Sequence, residues 1–168
     1  MNGRSGEKFI AIDFETADHG HDSACSVALV SVESGQIVQR EHYYIRPSRN
    51  NFIFTNVHGI VWEDVVDKPT FGELWPTLRE SLKNKEFFVA HNAAFDQSVL
   101  YSCCRVSGFR PPELPFKCTM EIARNVWNIY PTKLPDVCKR LKIRLDHHNA
   151  LSDAEACALI YIASQKRK

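Results

Sequence analysis

Three strand-like runs follow one another between Lys8 and Ile45, and after Pro47 the chain changes to alternating helix and strand patterns. That order constrains the fold more than any other feature. Lys8 to Thr16 alternates, with Ile10, Ile12 and Phe14 on one face. Ala24 to Val32 is nearly continuous in apolarity and rich in β-branched residues, as a strand covered on both faces would be. Glu33-Ser34-Gly35 is a turn signal, and Gln36 to Ile45 returns as a third strand. The three runs predict an antiparallel meander.

The remainder predicts helices that cover the sheet. Thr70-x-x-Glu73 is a capping-box signature ahead of Phe71, Leu74, Leu78 and Leu82 at helical spacing, with Pro76 confined to the first turns. Glu86 to Ala90 reads as a buried strand, Ala93 to Ser107 as a helix stopped by Gly108, and Phe116 to Cys118 as a fifth strand. Met120 to Ile129, Pro135 to Leu141 and Ala150 to Ser164 read as helices. Neither an internal repeat nor a long linker is visible, so one domain over residues 1–168 is expected. The fold class is therefore α/β, a mixed sheet flanked by helices.

Composition narrows the function classes. With 44% hydrophobic and 24% charged residues, the chain is neither disordered nor low-complexity. Its longest apolar run, Ala156 to Ala163, falls far short of the roughly 20 residues that span a bilayer, so no membrane association is expected. The N-terminus shows no long apolar secretory stretch, which predicts a cytoplasmic protein. Six cysteines without C-x-x-C spacing predict free thiols in a reducing compartment, with the adjacent Cys103 and Cys104 facing different sides of their helix. A formal charge of +1 advertises no polyanion-binding surface, but carboxylates that hold divalent cations would turn the local field positive.

Three short segments carry chemistry. In Asp13-Phe14-Glu15-Thr16, residues i and i+2 of a strand share a face, so Asp13 and Glu15 stand side by side, and a cation between them would relieve their repulsion. In His91-Asn92-Ala93-Ala94-Phe95-Asp96, a buried strand runs out into a helix whose first turn holds Asp96, where the helix dipole favours negative charge. In His148-Asn149-Ala150-Leu151-Ser152-Asp153, the acid lies on the same helical stripe as Cys157 and Ile160. An acid on an apolar stripe is costly unless it is paired or bound to a ligand.

Asp13-x-Glu15, His91-Asn92-x-x-Phe95-Asp96 and His148-x4-Asp153, in this order, resemble the DEDDh family of 3′→5′ exonucleases, which includes bacterial proofreading subunits. Ile45-x-Pro47, Val57-His58-Gly59-Ile60 and Leu134 to Leu141 support the likeness between the motifs. The resemblance implies a ribonuclease H-like fold with a five-stranded mixed sheet whose first three strands are antiparallel. It implies that Asp13, Glu15, Asp96 and Asp153 hold two Mg²⁺ (or Mn²⁺) ions and that His148 is the general base, with His147 supporting the loop. It further implies that Thr16, His58, Asn92 and Phe95 bind the terminal nucleotide. An all-carboxylate set independently suits such hard cations, and a pair of them can clamp the attacking and leaving oxygens of a phosphodiester.

The function expected is hydrolysis of single-stranded or frayed DNA 3′ ends to nucleoside 5′-monophosphates, in proofreading or repair. A polymerase or a further C-terminal domain is the partner that longer family members suggest. RNA 3′-end trimming by the same residues and a non-catalytic nucleic-acid-binding module are the alternatives. The loop Thr16-Ala17-Asp18-His19-Gly20-His21-Asp22 departs from the family pattern, which leaves the base-pocket contacts open.

Overall fold

The computed structural model describes residues 6–166. Five strands, β1 (Lys8–Thr16), β2 (Ala24–Glu33), β3 (Gln36–Tyr44), β4 (Phe87–Ala90) and β5 (Phe116–Cys118), form one sheet in the order β3-β2-β1-β4-β5. β1 pairs antiparallel with β2, and β2 with β3. β4 runs parallel to both β1 and β5. The expected meander is present, and its tight turn has a local cause. Ser34 and Gly35 both have positive φ, 52° and 76°, as a two-residue hairpin with the twist of its strands requires.

Both faces of the sheet are buried, which explains the unbroken apolarity of β2. One face sets Phe9, Ala11, Val30, Val32 and Val89 against α5 (Thr119–Trp127), α6 (Leu134–Leu141) and α7 (Ala150–Gln165). The other sets Ile10, Ile12, Phe14, Leu29 and Phe88 against α3 (Phe71–Ser81) and α4 (Ala93–Val106). α7 lies along β1 and β2 with Ala154, Ala156, Cys157 and Ala158 fully covered; these small side chains allow close approach of helix to sheet. The capping box at Thr70 and Glu73 forms as the spacing predicts.

The structure departs from the sequence reading in one place. Two one-turn helices, α1 (Thr55–His58) and α2 (Trp62–Val65), occupy a stretch in which no helix is predicted, because four residues are too few to show a period. Cys103 and Cys104, adjacent in α4, are both buried in one core. α4 is covered by more than the sheet: the β1–β2 loop closes over Cys103, whose Sγ reaches the His21 carbonyl at 3.6 Å.

Candidate active site

The pairing of β1 with β4 stops at Ala11 opposite Val89, and the ladder with β2 shifts register between Glu15 and Thr16. Beyond Ala11 the sheet opens, and its exposed rim carries the site. Asp13 and Glu15 continue the face of Phe9 and Ala11, toward α7, and both are half-buried. Asp153, in the first turn of α7 and 4% exposed, meets them there. One oxygen each of Asp13, Glu15 and Asp153 lies within 4.8 Å of the others. Asp96, in the first turn of α4 and 2% exposed, stands behind this trio and accepts a hydrogen bond from the Phe14 backbone N–H at 2.9 Å.

The electrostatics are those of a site short of positive charge. Among the described residues, no Lys or Arg pairs with any of the four acids; only His147 forms a pair, with Asp153. Burial, then Asp96, Asp153 and Glu15 in that order, push the Asp13 carboxyl well above its ordinary range. Burial raises Asp96 too, against the pull of its backbone hydrogen bonds. Burial and Asp153 lift Glu15 to about 8. Asp153 is raised by burial while His147 opposes the shift. Asp13 Oδ2 and Asp153 Oδ1 are buried without a hydrogen-bond partner. Buried carboxylate oxygens without partners, in a cluster of acids, fit a hard divalent cation, which would supply both the missing charge and the missing contacts.

Around this centre the backbone is specialised. Asn92, at the junction of β4 and α4, adopts a left-handed conformation (φ 57°), which Asn tolerates better than most residues. His91 is fixed from both sides, by Thr119 Oγ1 at 2.8 Å and the Thr132 carbonyl at 2.9 Å, and burial lowers its pKa to about 4. His148 has φ 67°, and its N–H donates to Asp153 Oδ2 at 3.2 Å. His147 Nδ1 lies 3.0 Å from that same oxygen, and the two imidazoles stack with centroids 3.7 Å apart. His147 is thereby tied to Asp153 across the loop that precedes α7.

The remaining candidates line the same rim. Gly59 (φ 78°) ends α1 and turns the chain so that the Ile60 N–H donates to His58 Nδ1 at 3.0 Å. The other nitrogen, Nε2, therefore carries the proton and donates to the Thr16 carbonyl at 3.1 Å. Both ring nitrogens of His58 are committed to the protein, so His58 positions Thr16 and offers a substrate only the edge of its ring. Phe95 is half-buried, with the His21 ring edge-on at 6.1 Å. Asp13, Glu15, Asn92, Phe95, His148 and Asp153 border a cleft of about 570 Å³ whose other wall includes Arg124 and Lys133. Arg124 is held by two hydrogen bonds to Thr132 Oγ1, of 3.0 and 2.7 Å, and its guanidinium lies 5.9 Å from the Tyr130 ring centre. The sequence reading assigned no role to this wall; the exposed Tyr130 beside a proline is its one visible trace.

A sheet that opens onto three clustered carboxylates, beside a histidine and a basic wall, is the architecture of a cation-dependent nuclease. An exonuclease family model (RNase_T) matches residues 10–161, and the chain belongs to the DEDD-type 3′→5′ exonuclease family. It is 30% identical over 162 residues to the 3′-5′ exonuclease DinG of Bacillus subtilis, covering 93% of this chain and 17% of that protein. It is also 30% identical over 158 residues to the PolC-type DNA polymerase III of Thermotoga petrophila, covering 92% of this chain and 12% of the polymerase. The chain thus spans less than a fifth of the length of either relative. The structure of exonuclease X in complex with 5′ overhanging duplex DNA superimposes with a TM-score of 0.76 at 26% identity, covering 94% of this chain and 91% of that one. The fold is the ribonuclease H-like exonuclease fold that the resemblance implies.

Proposed function

We propose that this chain is a divalent-cation-dependent 3′→5′ exonuclease that removes nucleotides from single-stranded or frayed DNA 3′ ends and releases nucleoside 5′-monophosphates. The observation that carries the proposal is the convergence of Asp13, Glu15 and Asp153, with one buried oxygen each of Asp13 and Asp153 left without a hydrogen-bond partner. These three, with Asp96 adjoining, would hold two Mg²⁺ or Mn²⁺ ions. Bound there, such ions would supply Lewis acidity toward the scissile phosphate and its attacking water.

The chain's own residues do the rest. His148 takes the proton of the attacking water on a ring nitrogen; burial and the neighbouring His147 lower its pKa from 6.5, so the ring is neutral and able to accept near neutral pH. Thr16, Asn92 and Phe95 hold the terminal nucleotide, with the Phe95 ring available to a base. Arg124 and Lys133 face the phosphate backbone across the cleft. DNA is the substrate favoured because exonuclease X was captured on duplex DNA and one relative is a DNA polymerase. Those relatives also support a setting beside a polymerase or a further domain. No helix among the described residues is long and apolar enough to cross a membrane, and a cytoplasmic location is proposed with the rest.

The test is a 5′-labelled single-stranded DNA oligomer and its RNA counterpart, each with Mg²⁺, with His148→Ala as control. The expected result is a ladder that shortens from the 3′ end, faster on DNA, with the control slower by about 10²–10⁴-fold. Faster RNA trimming would move the substrate to RNA. Binding without cleavage, in Mg²⁺ or Mn²⁺, would leave a recognition module.

A further inference from the structure

We infer that His147, His148 and Asp153 form a second cation subsite, one that takes Zn²⁺ in competition with the carboxylate set. A ring nitrogen of each imidazole and an oxygen of Asp153 lie within 4.8 Å of one another. This trio shares Asp153 with the trio of Asp13 and Glu15, so the two sets cannot both use that carboxylate freely. Asp153 is 4% exposed, and its Oδ1 is buried without a partner.

The two sets differ in chemistry. Asp13, Glu15 and Asp153 offer oxygen only, which suits Mg²⁺. Two imidazoles and one carboxylate suit Zn²⁺, which favours nitrogen ligands and takes three protein ligands with one position open. The local geometry agrees. His147 Nδ1 and Asp153 Oδ2 stand 3.0 Å apart, a separation that two ligands at roughly 2.0–2.2 Å from one zinc ion can span. His148 has φ 67°, and the two consecutive rings stack with centroids 3.7 Å apart, so one ring turns out of the stack when both ligate a single ion.

Zn²⁺ held there would occupy the His148 nitrogen and divert Asp153. Its expected effect is inhibition of Mg²⁺-supported hydrolysis. The inhibition rests on the function proposed above; the binding does not.

The experiment is nuclear magnetic resonance of the whole chain with isotope-labelled histidines, titrated with ZnCl₂ and, separately, with MgCl₂. One equivalent of Zn²⁺ is expected to shift the ring signals of both His147 and His148, while Mg²⁺ leaves their nitrogens unligated. Calorimetry should show Zn²⁺ binding at least about tenfold weaker in His147→Ala. His147→Gln, which keeps a donor for Asp153, serves as a second variant should the alanine protein be poorly folded, and it should lose zinc equally. Zn²⁺ that leaves both rings unshifted, or that binds either variant as tightly as the parent, would overturn the subsite. If zinc binds as described and no oligonucleotide is cleaved, the subsite stands and the exonuclease reading falls. If cleavage is seen and the rings ignore zinc, the reverse holds.

Discussion

Asp13, inside β1, and Asp18, two residues beyond its end, meet opposite surroundings. Asp18 is clamped: Arg49 Nε and Nη2 each donate to its carboxylate at 2.7 Å, the Gly20 N–H adds a bond of 2.7 Å, and Asn51 reaches it at 3.3 Å. The same guanidinium holds Asp22 at 3.0 and 2.9 Å. Arg49 keeps both carboxyls below the usual carboxylate range. Asp13 has no cation beside it, and burial with three neighbouring acids raises it. Where acids serve the loop, the protein neutralises them itself. Where they gather beside the cleft, it supplies only His147, at Asp153, and leaves the rest of the charge unmet, as the proposed cation site requires.

The largest effect that would test this contrast is on catalysis. Asp13→Asn or Asp153→Asn should lower hydrolysis by several orders of magnitude in the oligonucleotide assay. In metal-free buffer, Asp13→Asn should also melt at a higher temperature than the parent, since a repelling charge is removed. A fully active Asp13→Asn enzyme would break the assignment, and an unchanged melting temperature would show that the acids are not in conflict.

Arg49→Ala probes the clamped side. It strands Asp18, whose side chain is 6% exposed, and should destabilise the protein by about 1–3 kcal/mol. That is less than the roughly 3–5 kcal/mol of a fully buried pair, because the Arg49 side chain is 38% exposed. Thermal melts should show a fall of about 2–4 °C per kcal/mol. A melt identical to the parent's would make the clamp a bystander.

The subtlest effect is on pH. In the metal-free cluster, raised carboxyls keep protons that the unfolded chain has already released, so stability declines as pH rises. For Glu15 that decline runs from its ordinary 4.5 to about 8. Asp18 runs the other way: its lowered pKa contributes stability above the ordinary 3.8 that is lost as pH falls toward the depressed folded value. Melting temperatures with a chelator should therefore fall with alkalinity, and added Mg²⁺ should flatten the slope. A metal-free profile that is level across that interval would contradict the uncompensated charge of the cluster.

Much of the site was legible before any coordinates. Asp13 and Glu15 share a strand face by period alone, Asp96 is marked by a helix start, and Asp153 by its place on an apolar stripe. The sheet was legible because β2 carries apolar residues on both faces and its hairpin has a glycine at the turn. What stayed hidden lacks a local period. Arg49 finds Asp18 across 31 residues of irregular chain, and no spacing announces it. α1 and α2 are single turns. Neither the positive φ of His148 nor the stacking of His147 on His148 is disclosed by residue identity. That both ring nitrogens of His58 hold the protein's own backbone was equally hidden, because the partners lie in a loop and at a strand end.

The hydrogen bond from the Phe14 N–H to Asp96 joins residues 82 positions apart, where β1 has already parted from β4. The carboxylates come from three distant stretches of chain that meet only when β1, α4 and α7 have all docked. A half-assembled chain therefore has acids but no site. On the function proposed, hydrolysis should appear only with the last of these long-range contacts, never in a partly folded chain.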